Sequence, residues 1–128
     1  MQNETASTAF LKYGSVFRNF SEEFKESLIC QAKRIPAQQS LSQFLQFSCD
    51  TYIEVQSGIG VLLVSEDPET MPIEEFGMNH RIHIKPNVYF AFLSTSPELV
   101  IHFFTKTDYQ MNTVTLSKPY EYQPVFPR

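Results

Sequence analysis

From Leu28 to Ser117 the chain keeps a period of two and meets turn-forming residues about every 8–12 positions, a rhythm that confines it to antiparallel β-structure. The segment RIHIKPNVYFAFLSTSPELVIHFF (81–104) is the plainest instance. It reads as a strand, a turn at Pro86-Asn87, a second strand, a turn from Ser94 to Pro97, and a third strand, so a run of hairpins is expected. Upstream, Leu28, Cys30 and Ala32 alternate with Ile29, Gln31 and Lys33. Leu41, Leu45, Phe47 and Cys49 alternate with Ser42, Phe44, Gln46 and Ser48. TYIEVQ then leads through Ser57-Gly58 into IGVLLVS. EDPETMPIEEFG reads as a solvated, Pro-flanked loop, and MNTVTLS as a last strand. The expectation is an all-β sandwich or barrel of eight or nine short antiparallel strands with little helix. The helical signal is confined to NFSEEFKESL (19–28), where Ser21 can cap a turn or two with acids behind it.

A chain of 128 residues fits a single domain with a real core, residues 1–9 frayed and residues 118–128 a Pro-rich tail on the surface or against a neighbouring subunit. The net charge of −4 and the scattering of ten Lys and Arg exclude a nucleic-acid-binding surface. No apolar run approaches a membrane span. MQNETASTAF lacks the basic and apolar regions of a signal peptide, so a cytoplasmic protein is expected. Cys30 and Cys49 are accordingly read as reduced thiols packed as small hydrophobes.

YIEVQSGIGVLLV (52–64) and IHIKPNVYFAF (82–92) resemble the two halves of a cupin, the double-stranded β-helix barrel. Gly58 and Gly60 match the tight hairpin of the family's first half. Pro86 matches the proline of its second half, and Asn87 stands for the turn glycine, which Asn can replace because it tolerates left-handed backbone. Within cupins the chain is most similar to the ureidoglycolate lyase family. AFLKYGSVF resembles its opening aromatic and Gly unit, LLVSEDPETMPIEEF its Pro-rich loop, and NVYF (87–90) its Gly-Val-Trp-His turn. The resemblance implies a cupin-like barrel whose mouth binds a small carboxylate, ureido or sugar-acid compound, with a lyase or isomerase reaction if any. The family's Trp-His pair falls on Tyr89-Phe90, and the metal ligands of its first half fall on Leu45, Phe47 and Thr51. The implied site is therefore metal-independent and holds no cofactor.

Read from the residues, Arg81, His83 and Lys85 share one strand face opposite Ile82 and Ile84. They either line a pocket for an anion or form the solvated side of an amphipathic strand. His102, between Ile101 and Phe103, is either a core residue or the best general-base candidate. Glu54 is read as exposed, with a pocket carboxylate as the alternative. His80 and His83 lie three apart, a spacing that on a strand points two imidazoles to opposite faces. The candidate ligand-binding set is thus Arg81, His83, Tyr89, Phe90 and His102. The other reading is a catalytically silent cupin that serves as a binding, regulatory or dimerisation module, and a homodimer is expected on either reading.

Overall fold

The computed structural model describes residues 11–16, 21–106 and 110–122. Residues 1–9, where fraying was expected, and the end of the expected tail, 123–128, lie outside the described residues. Two five-stranded antiparallel sheets make up the molecule. Sheet A holds β1 (Gly14–Val16), β7 (Arg81–Ile84), β4 (Thr51–Ser57), β9 (Glu98–Thr105) and β2 (Ile29–Pro36), in that spatial order. Sheet B holds β10 (Met111–Glu121), β3 (Ser40–Phe47), β8 (Tyr89–Ser94), β5 (Gly60–Ser65) and β6 (Glu74–Gly77). The expected eight or nine strands become ten among the described residues. β6 forms at the end of the stretch read as a loop, because Val61 to Val64 offer it a register. β10 runs on into the expected tail, where Tyr120 and Glu121 pair with Leu41 and Ser40 after an irregularity.

The apolar face of each sheet is buried against the other. Ile53, Ile82, Ile84, Leu99, Ile101 and Phe103 of sheet A meet Phe47, Leu62, Val64, Phe90 and Phe92 of sheet B. Val88, Phe90 and Phe92 fall on this inner side together, as period two requires. Phe44 does not: it joins Leu63, Ala91 and Leu116 in a second cluster on the other face of sheet B. The EDPETMPIEE segment is folded rather than loose. Asp67 accepts from the Glu69 N–H and the Thr70 hydroxyl, and Glu69 holds Ser117 on β10.

The hairpins expected over 81–104 do not form. β7 pairs with β1 and β4, β8 with β3 and β5, and β9 with β2 and β4. Each turn carries the chain from one sheet to the other. β4 and β5 are separated in the same way at Ser57-Gly58, and among the described strands only β5 and β6 are consecutive and paired. The turns then bind each other. The Ile59 carbonyl accepts from the Thr95 and Ser96 N–H groups at 2.9 and 3.2 Å, and Ile59 N–H donates to Ser96 Oγ at 3.0 Å. Asn87 has φ 67°, the left-handed backbone expected of it.

The phase of the first long strand runs against the packing expected of Cys30. Gln31, Lys33 and Ile35 pair with Phe103, Ile101 and Leu99, so they share the inner side of sheet A. Cys30 and Ala32 pair with Phe104 and His102 and lie on its outer side. The thiols are free, but Cys30 is exposed and does not pack as a core hydrophobe. β2 is an edge strand, and its phase follows its hydrogen-bonded partner β9, not its own weak apolar alternation.

A short helix, α1 (Glu22–Glu26), begins where expected, with Ser21 Oγ accepting from the Phe24 N–H at 3.0 Å. Phe24 packs edge-on against Tyr52, with ring centroids 5.0 Å apart, which sets α1 on the outer face of sheet A. No helix among the described residues is long and apolar enough to cross a membrane.

Candidate functional site

Two places collect the residues that the sequence singled out. The first is the outer face of sheet A. Ile82 and Ile84 point to the core, so Arg81 and His83 point away from it. In register, Arg81 stands opposite Glu54 and Glu54 opposite His102, and the three form a row across β7, β4 and β9. Glu54, expected to be exposed, is only 6% accessible because α1 covers it. Its carboxylate meets Arg81 Nε at 3.1 Å, Lys25 Nζ at 3.4 Å and Gln56 Nε2 at 3.2 Å. The Arg81 contact is a charge contact and not an aligned hydrogen bond. The next row holds His83, Tyr52 and Phe104. The His83 ring stacks on Tyr52 at 4.8 Å, and its Nε2 lies 2.7 Å from Asp50 Oδ1.

This face is a latch. Burial, which lowers the Lys25 pKa, is outweighed by Glu22 and Glu54, so its ammonium is held above the ordinary value. Burial and then the Asp50 carboxylate raise the Tyr52 phenol. Although Cys30 is exposed as a residue, local desolvation of its thiol, followed by the charge of Glu54, raises its pKa, the opposite of what an activated cysteine nucleophile needs. His102 lies on the outer face, edge-on to Phe104, and not in the core. Among the described residues, no group of three or more His, Cys, Asp or Glu could hold a metal ion. Glu54→Gln keeps the shape and removes the charge that Lys25 and Arg81 share. It should destabilise the fold by about 1–3 kcal/mol, read from urea midpoints with an unchanged slope. A neutral result would mean that the latch does not hold α1.

The second place is a cleft of about 200 Å³ where the sheets part, between β2 of sheet A and β3 and β8 of sheet B. It opens because the inner side of β2 carries Gln31 and Lys33, which cannot seal an apolar seam. Ile35 and Leu45 form its walls, and Phe92 and Phe103 its floor. Phe90 lines the bottom and is itself fully buried, packed edge-on against Phe47 at 5.7 Å. Lys33, Gln38 and Gln43 make its polar rim.

The sequence-derived set is thereby divided. Arg81, His83 and His102 come together on the outer face of sheet A, and Phe90 lies at the inner cleft. Tyr89 packs with the second cluster, on the far side of sheet B. Sequence reasoning misses Lys33 as a site residue because Cys30 and Ala32 draw the apolar phase of β2. The β-branched residues Ile29 and Ile35, in phase with Lys33, carry the correct signal. No model of a known protein family matches the chain, and no curated protein matches it.

Proposed function

We propose that this chain is a metal-independent, cupin-like protein that binds a small carboxylate in the cleft between its sheets. The observation that carries this reading is the position of the cleft. Leu45 and Phe90 face each other across β3 and β8 and line it. They are also two of the positions where the resembled family would keep reactive or ligating groups. A chain that passes from sheet to sheet at nearly every turn supports the likeness to a double-stranded β-helix. With carbon side chains at Leu45 and Phe90, the cleft supplies shape and an apolar wall; no histidine, carboxylate or thiol lines it, and Lys33 at its rim is its one charged group among the described residues. Binding without turnover is the consequence.

Three measurements test this. Amide spectra titrated with small carboxylates should shift at β3 and β8, and Leu45→Trp, which fills the cleft, should abolish the shifts. Elemental analysis of the purified protein should find no stoichiometric zinc, iron, manganese or nickel, and ureidoglycolate should not be turned over. Shifts confined to the outer face around Arg81 and His102 would place the ligand elsewhere and defeat the reading. The full burial of Phe90 favours a second reading, a silent module whose partner is another protein or a second copy. On that reading no small acid shifts the cleft.

A further inference from the structure

Resting on that reading, we infer that the ligand is a monocarboxylate with a flat apolar body, an aryl- or aryl-alkyl acid, held by Lys33. It is not a ureido or sugar acid. Strand phase places the lysine. Lys33 stands opposite Ile101 on β9, and Ile101 is fully buried between the sheets, so Lys33 leaves the strand on the inner side. Lys33 itself is exposed at this edge strand, so its ammonium stays hydrated and is placed to meet an anion where the cleft opens to solvent. Among the described residues no carboxylate pairs with Lys33, whereas Arg34 beside it, on the outer side, is paired with Glu98 at 3.1 Å. Among the described residues Lys33 is also the one charged group lining the cleft, in a chain of net charge −4.

The rest of the lining decides the body of the ligand. Phe92 and Phe103 are 6% and 4% accessible, with ring centroids 5.9 Å apart, and they meet Leu45 and Ile35 at the walls. A surface of aromatic faces and branched aliphatics favours a flat apolar group and leaves hydroxyl or ureido groups without partners. The polar side chains of the lining are Lys33, Gln38 and Gln43. Size agrees. An apolar cavity of about 150 Å³ holds a benzene ring, and this cleft of about 200 Å³ adds room for a short acid arm. Ring inward and carboxylate at the rim is the one orientation that satisfies both halves.

The experiment compares 3-phenylpropionate with its neutral counterpart 3-phenylpropanol and with glycolate, by calorimetry and amide shifts on the full chain. The acid should bind about tenfold more tightly than the alcohol, the effect of one charge-assisted contact at a solvent-accessible rim. Lys33→Gln, at an exposed edge-strand position where the fold does not depend on the charge, should erase that preference and leave the alcohol's affinity unchanged. Glycolate, lacking the ring, should bind more weakly than either. Equal affinity for acid and alcohol in the unaltered protein, or an acid preference that survives Lys33→Gln, overturns the assignment. If glycolate shifts β3 and β8 and 3-phenylpropionate does not, the cleft is still a carboxylate site and only the aryl inference fails. If no probe shifts them, both readings fall together.

Discussion

Phe90→Ala should cost about 3–5 kcal/mol, the range for deleting a large buried aromatic ring. Phe90 has no accessible surface and sits among Phe47, Phe92 and Phe103, with centroids 5.7, 5.7 and 6.2 Å from its own. Removing it takes one ring from a packed cluster whose neighbours are strand residues of both sheets and cannot collapse inward without moving backbone. Phe90→His tests the same position in a second way. An imidazole there would be buried with carbon on every side in this cluster, so its ring nitrogens would lose water without regaining partners. It should therefore be destabilising as well, by less than alanine in volume terms but with an added polar penalty. Denaturant melts of the two variants decide the matter. A near-neutral Phe90→Ala would mean that the ring faces open space, and the cleft would then extend much deeper than its floor at Phe92 and Phe103.

Gly58→Ala should be of similar severity, about 2–5 kcal/mol, for reasons that owe nothing to hydrophobic burial. Gly58 has φ 97°, a backbone region in which an L side chain carries a penalty of about 1–2 kcal/mol. A Cβ there would lie 2.3 Å from the Glu98 carbonyl oxygen and 2.8 Å from the Leu99 Cα. Both are backbone atoms at the start of β9, so relief requires parting the two turns that Ile59, Thr95 and Ser96 bind together. Overpacking of that kind adds roughly 1–3 kcal/mol. Thermal melts of Gly58→Ala beside Gly77→Ala make the comparison. A Cβ added at Gly77 would meet nothing within 4 Å, so its alanine variant should melt close to the parent. Equal melting of all three proteins would refute the close approach of the turns.

The all-β class, the positions of most strands, the Ser21 cap and the left-handed Asn87 were legible along the chain because each depends on neighbours in sequence. A period of two, a hydroxyl before two acids, and an Asn after Pro are local statements. The same period puts Val88, Phe90 and Phe92 on one face, the inner one in the structure. What the sequence misjudged depends on partners far along the chain. Glu54 reads as exposed between Ile53 and Val55, and it is the arrival of Lys25 and Arg81, from α1 and β7, that lets it be buried.

By itself, then, the sequence determined that this protein is built of short antiparallel strands, and which residues of a strand share a face. Only the tertiary structure decided which strand pairs with which. A turn such as Pro86-Asn87 reverses the chain equally well into its own sheet or across to the opposite one, and both choices keep the period of two. The choice falls to the nonlocal burial of two apolar faces against each other, which no local pattern encodes. That choice put Lys33 on the inner side of β2 and Arg81, His83 and His102 on the outer side of sheet A. A phase that is ambiguous in an edge strand is fixed by the hydrogen-bonded neighbour, and here β9 fixed it.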